Sequence, residues 1–153
     1  MSPYLLDQDD ANDYIAHARR EWPREACGLA MRHPAGGRVI YPAPNIIGKM
    51  HRVAPGTWRP ATEAFVIDPK VLQAALHWIP QGFRLDVIYH SHPTGQPDFS
   101  RDDRALALAW SRNPLVAETT WLVVGMKDRR AEGSLTAWAR AGTVMVERPL
   151  VIA

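Results

Sequence analysis

The chain is predicted to be an α/β domain, and three observations carry that expectation. Apolar stripes at helical spacing alternate with short apolar runs bounded by turn residues, the pattern of mixed helix and strand. Its 153 residues are enough to bury a substantial core and few enough for one domain, spanning 1–153. No repeat and no low-complexity stretch interrupts the pattern.

The elements follow in order. Ala11, Tyr14, Ile15, Ala18 and Trp22 form an apolar stripe that predicts a helix over 9–22. Its acidic start and basic end suit the helix dipole. Strands are predicted over 27–31 and 38–41, joined by the turn His33-Pro34-Ala35-Gly36-Gly37. A further strand is predicted over 64–67. Asp68-Pro69 then supplies an N-cap and a proline at the first helical position. The second helix buries Val71, Leu72, Ala75, Leu76 and Ile79 and stops at Pro80. Strands over 85–89, 118–124, 135–140 and 143–147 complete the set, with a helix over 101–111 between the first two. Residues 42–60, with four prolines, two glycines, Lys49, Arg52 and Arg59, show no element pattern. A loop of that length inside a compact domain is usually functional or mobile. Trp58 is read as its contact residue, an aromatic on a mobile loop.

Composition narrows the class. The formal charge is +2 and the pI about 8.9. Arg19-Arg20 and Arg129-Arg130 are short pairs without interleaved aromatics, so no nucleic-acid footprint is read. No run approaches the roughly eighteen apolar residues of a membrane span. The first residues lack a signal-peptide pattern, which makes the cytoplasm the expected location. Cys27 is the only cysteine, which excludes an intrachain disulfide and every zinc-finger spacing. It reads as a small buried residue on a strand.

The chemistry is concentrated in His90-Ser91-His92-Pro93, followed by Ser100 and Asp103. In an extended segment His90 and His92 point to the same face and can share one ion. Asp103 falls in the first turn of a helix, three residues after an N-cap at Ser100. Two imidazoles and a carboxylate with no fourth ligand in the motif fit a catalytic zinc site that keeps a position open. Ser100 and Asp103 also make a plain capping-box variant, and the two roles are compatible.

This arrangement resembles the signature of the JAMM (MPN+) metalloproteases, His-x-His-Pro, six residues, then Ser-x-x-Asp. Pro23-Arg24-Glu25-Ala26-Cys27-Gly28-Leu29 is similar to the stretch that carries the upstream glutamate in the bacterial branch of that family, and Phe65-Val66-Ile67-Asp68-Pro69 resembles its strand-to-helix junction. The resemblance covers roughly residues 4–140. It implies a cytidine-deaminase-like architecture: a curved, mixed, mainly antiparallel sheet flanked by helices. The deaminase signature itself is absent. It further implies one Zn2+ held by His90, His92 and Asp103, with water in the fourth place. Glu25 would be the general base, and Ser100 would donate a hydrogen bond to the oxyanion. Residues 42–60 look like the counterpart of an insertion that helps hold the substrate tail.

The activity implied is that of a zinc (iso)peptidase acting at the C-terminal tail of a ubiquitin-like or sulfur-carrier protein, after Gly-Gly. A phage-tail-assembly peptidase and a non-catalytic MPN scaffold are the alternatives. Scaffolds of this kind usually lose motif residues, whereas Glu25, His90, His92, Ser100 and Asp103 are all present.

Overall fold

In the computed structural model, which describes residues 1–153, the chain is built around a six-stranded sheet. Its strands are β2 (Cys27–Arg32), β3 (Arg38–Ala43), β4 (Arg84–His92), β5 (Thr120–Gly125), β6 (Ser134–Ala141) and β7 (Val144–Arg148). β1 (Tyr4–Leu6) and β8 (Leu150–Ile152) form a separate parallel pair. The helices are α1 (Gln8–Glu21), α2 (Ile47–Val53), α3 (Pro69–His77) and α4 (Arg101–Trp110). The spatial order is β3-β2-β4-β5-β6-β7, and only β4 and β5 run parallel. Parallel neighbours need a crossover, and α4 with its flanking loops provides it. The sheet is thus mixed and mainly antiparallel, with helices on both faces, as the sequence predicts.

Strand alternation divides the core in two. Ala30, Val87, Tyr89, Leu122 and Val124 pack with Ala11, Tyr14 and Ala18 of α1. Leu29, Met31, Ile88, Trp121 and Val123 point to the other face, where Phe65, Ala75 of α3 and Ala107 of α4 cover them. Because His90 and His92 keep the phase of Ile88, the sheet delivers both to the α4 side. Gly28 is required where β2 passes Tyr89: a Cβ there would lie 2.5 Å from the Tyr41 carbonyl and 2.6 Å from the Tyr89 ring.

Several expected boundaries shift. α1 begins one residue early because Asp7 caps it, accepting a hydrogen bond from the Asp9 N–H at 2.7 Å. Residues 64–67 are not a strand. Ile67 makes a single bridge to Asn45, and the Asn45 side chain occupies the rest of that edge. Its amide donates to the Ala64 carbonyl, and its carbonyl accepts from the Val66 N–H, both at 3.0 Å. The apolar run still buries Phe65 and Ile67. Within the stretch read as structureless, Ile47–Val53 is helical; it has no side-chain cap, so no sequence signal marks its start. β1 and β8 also escape the sequence, because each is three residues long and finds its partner at the other end of the chain.

One partly buried polar cluster ties these parts together. Asp86 on β4 accepts hydrogen bonds from the Tyr4 hydroxyl and the Arg38 Nε, both at 2.6 Å, and from Arg32 at 3.3 Å. Burial alone would raise the Asp86 pKa, but the Tyr4 and Arg38 hydrogen bonds and the arginine charges outweigh it and hold the pKa below the ordinary value. Asp86→Ala is expected to cost about 3 kcal/mol at neutral pH, because it strands Arg38 and Tyr4. A depressed carboxyl stabilises above its unfolded pKa and ceases to as pH falls through the folded one. The difference between variant and wild type in urea unfolding should therefore shrink once pH drops below the ordinary value of 3.8. A pH-independent difference would assign the effect to packing alone.

Candidate metal centre

Three elements converge at one end of the sheet. β4 ends on His90-Ser91-His92, with His90 opposite Cys27 of β2 and Val123 of β5. Ser91 points to the other face and accepts a hydrogen bond from the Ala26 N–H at 2.8 Å, which fixes the strand's phase. Glu25 sits just before β2. Its N–H donates to the Ala61 carbonyl at 2.7 Å, and its carbonyl accepts from the Asn45 amide at 3.0 Å. Ser100 caps α4 as predicted. Its hydroxyl accepts from the Asp103 N–H, and Asp103 Oδ2 accepts from the Ser100 N–H, both at 3.0 Å.

The donor atoms meet closely. His90 Nε2 and His92 Nε2 lie 3.0 and 3.1 Å from Asp103 Oδ2, and 3.1 Å from each other. Donors at about 2.0–2.1 Å from a tetrahedral zinc stand roughly 3.3 Å apart, so this triangle is of the right size. Glu25, His90 and His92 also each offer a ligand atom within 4.8 Å of the others. Asp103 is the more intimate third donor, because its oxygen touches both imidazole nitrogens. Glu25 approaches from β2, across from α4.

Proton accounting shows that the donor set fits a cation. His92 Nδ1 lies 2.8 Å from the Gln96 carbonyl, which can only accept, so Nδ1 carries the hydrogen. Neutral His92 therefore turns the lone pair of Nε2 toward the Asp103 carboxylate and His90 Nε2. Acceptors held 3.1 Å apart need a proton or a metal ion between them. In the metal-free protein a proton serves. Burial lowers the His92 pKa, but the hydrogen bonds to Asp103 and Gln96 and the nearby carboxylates overcome this and hold it at about 9. His90, wholly buried and stacked 4.5 Å from the Phe65 ring, is shifted down by burial despite Asp103. Burial raises the Asp103 pKa, but the hydrogen bonds and charge of His90 and the bonds of His92 and Ser100 hold it far below the carboxylate range. Glu25 behaves oppositely: burial pushes it up to about 8, with His92 and Arg59 only partly opposing.

The surroundings immobilise this loop. The Trp22 indole donates to the Pro93 carbonyl at 3.3 Å, and Thr136 hydrogen-bonds the Pro97 carbonyl. Trp138 donates to Thr136 at 2.8 Å and stacks on Phe99. Cys27 is buried, with Sγ 3.9 and 3.8 Å from the Ala43 and Pro44 carbonyls. Burial and then Glu25 push its thiol up to about 12, so it is a packed thiol and no nucleophile. Of the basic residues in 42–60, only Arg59 reaches the cavity of about 100 Å³ beside Glu25, His92, Ser100 and Asp103. Asn45 and Thr136 gave no sequence signal, because their side chains bond backbone groups far along the chain. Gln96 gave none because its own carbonyl, not its side chain, holds His92, and Trp138 because it acts through Thr136 and Phe99.

The sequence profile of prokaryotic homologs of the JAB domain matches residues 8–141. The chain belongs to this prokaryotic JAB/MPN family, which includes metalloproteases. The solution structure of protein DSY2949 from Desulfitobacterium hafniense has the same fold, with a TM-score of 0.64, 20% identity, and coverage of 97% of this chain and 92% of that one. Among curated protein sequences none matches. No helix is long and apolar enough to cross a membrane.

A metal ion bound at Nε2 must displace the proton on His92, whose pKa is about 9 without it, and its charge favours the ionised form of Glu25, whose pKa is about 8 without it. Titrating Zn2+ into metal-free protein at neutral pH should therefore release protons, and affinity should rise as pH climbs toward those values. Calorimetry in buffers of different ionisation enthalpy measures both. His90→Ala or His92→Ala should weaken binding by more than about a hundredfold, beyond the loss typical of an outer-shell partner. Full retention of zinc by the doubly substituted protein would refute the site.

Proposed function

We propose that this chain is a zinc-dependent peptidase or isopeptidase that cleaves the C-terminal tail of a ubiquitin-like or sulfur-carrier protein after Gly-Gly. The observation that carries the reading is the meeting of His90, His92 and Asp103 beside a buried, unpaired glutamate. His90, His92 and Asp103 would hold the ion, leaving a position open toward Glu25 and Ser100. When bound, the metal would supply positive charge that brings the pKa of water from about 16 to about 7 and polarises a carbonyl.

The remaining work falls to the protein's own groups. Glu25 takes a proton from the attacking water and returns it to the departing amine. Its low-dielectric setting favours the proton-holding form, and a cation nearby favours the anion, so it is balanced between the two. Ser100 uses its oxygen as the helix cap and donates to no protein acceptor. Its hydroxyl hydrogen is therefore available for the oxyanion that develops on the cleaved carbonyl. The small cavity favours an extended chain with glycine at the cleaved bond, where the absence of Cβ permits close backbone approach.

Glu25→Gln should keep zinc and fold but lose most turnover, because an amide cannot accept a proton; a positioned carboxylate contributes on the order of a hundred- to ten-thousandfold. Loss of zinc would make Glu25 a ligand instead, which metal analysis of the same sample decides. Ser100→Ala should cost roughly 1 kcal/mol of stability through the lost cap. Its turnover should fall by about two to three orders of magnitude with KM little changed. Near-normal turnover in folded, zinc-loaded protein would leave Ser100 a cap only. The substrate assignment is checked with carrier-type tails: efficient cleavage of tails without glycine would overturn it and favour the phage-type alternative.

A further inference from the structure

The cavity beside the metal centre has a charge pattern that the water-activating groups do not explain. Besides Glu25, His92, Ser100 and Asp103, it is lined by Arg59, Glu63 and Asp102. Arg59 is the only guanidinium or ammonium among the lining residues. Lys49 and Arg52, equally basic in sequence, lie elsewhere. Arg59 Nη1 contacts Asp102 Oδ2 at 3.0 Å, and the two side chains are 63% and 67% exposed. So exposed a pair holds weakly and exchanges readily. Its single contact also leaves most of the guanidinium's five donors unused.

The base of Arg59 is fixed, while its tip is held only by the exposed pair with Asp102. Thr57 and Trp58 donate to the Ala54 carbonyl, Glu63 donates to the Pro60 carbonyl, and His51 Nδ1 binds the Trp58 carbonyl at 2.6 Å. Asp102 is the residue immediately before Asp103, so the ion pair spans the space between this turn and the first turn of α4. The cavity, about 100 Å³, holds several waters or a short piece of chain, but no folded domain.

We propose that Arg59 determines specificity by binding the free α-carboxylate of a short C-terminal leaving segment, which takes the place of Asp102. This rests on the peptidase reading above and narrows it: the enzyme trims one or a few residues from a free C-terminus. In the reaction the peptide C–N bond breaks, the water oxygen bonds to the carbonyl carbon, and both water protons end on the amine nitrogen, leaving a carboxylate on the carrier and an ammonium on the released segment. The released segment is a zwitterion. Its carboxylate lies on Arg59, and its ammonium faces the carboxylates of Glu25 and Glu63. One cation set among several carboxylates is the complement of such a product.

The test uses zinc-loaded protein and peptides ending in Gly-Gly-Ala, as free acid, as C-terminal amide, and extended by several residues. The free acid should have a KM lower than the amide and the extended peptide by roughly two- to fivefold, the range of one exposed charge pair, with kcat nearly unchanged. In Arg59→Gln the acid and amide should converge, Arg59→Lys should restore part of the gap, and Asp102→Asn should lower KM for the acid. A second readout needs no turnover: calorimetric binding of Gly-Gly-Ala acid and amide to zinc-loaded Glu25→Gln protein should show the same gap, abolished by adding Arg59→Gln. Equal binding and equal KM for acid and amide in the Arg59 protein would overturn the proposal. If zinc binds and no peptide is cleaved, the peptidase reading fails, and the calorimetric comparison still decides the role of Arg59.

Discussion

Asp103 Oδ2 is the atom on which the site depends. It accepts from the Ser100 N–H that begins α4 and stands 3.0–3.1 Å from two imidazole nitrogens at the end of β4. A carboxylate oxygen fixed by its own helix cap cannot rotate away when the imidazoles change protonation. The capping box is therefore both the local signal that starts a helix and the clamp that aims a carboxylate oxygen at two imidazoles. The parallel pairing of β4 with β5 follows from the same geometry, since α4 must leave the end of β4 and cross the sheet before β5 begins.

The rest of the structure holds that point still. Ser91 locks the phase of β4 from the α1 face, and Thr136, Trp138 and Phe99 secure the loop that follows it. Trp22 joins the approach to Glu25 with the Pro93 carbonyl, so the glutamate and the second histidine are referred to one frame. Asn45 does the same from the other side, bonding the Glu25 carbonyl while it pairs with residues 64 and 66. Pre-positioning of this kind matters because donors and a proton carrier must keep their spacing within fractions of an ångström.

Burial divides the carboxylates by role. Glu25 has no hydrogen bond to its charge and is pushed up to about 8, whereas Asp103, bonded on three sides, stays ionised. Two acids a short distance apart thus favour opposite protonation states, the division that the proposed function assigns to a proton carrier and a metal donor. Arg59 lies on the exposed side of this pair, where its charge also eases the ionisation of Glu25.

The sequence by itself determined the helices α1, α3 and α4, the strands of the sheet, and the grouping of His90, His92 and Asp103. Each of these rests on local periodicity, on a cap, or on a short motif. Alternation placed His90 and His92 on one face, and Ser100-x-x-Asp103 placed the carboxylate in a first helical turn. Only the tertiary structure decided that Glu25 faces them, because its position is set by Ala61 and Asn45 rather than by its neighbours in sequence. It likewise turned 64–67 from a strand into a segment paired with one asparagine, and made 47–53 a helix without a capping signal. It also selected Arg59 from three similar basic residues. For Glu25, 64–67 and Arg59 the physical reason is common: a partner across the fold lies tens of residues away, and no local pattern records which edge, carbonyl or carboxylate will be met; for 47–53 it is the missing cap.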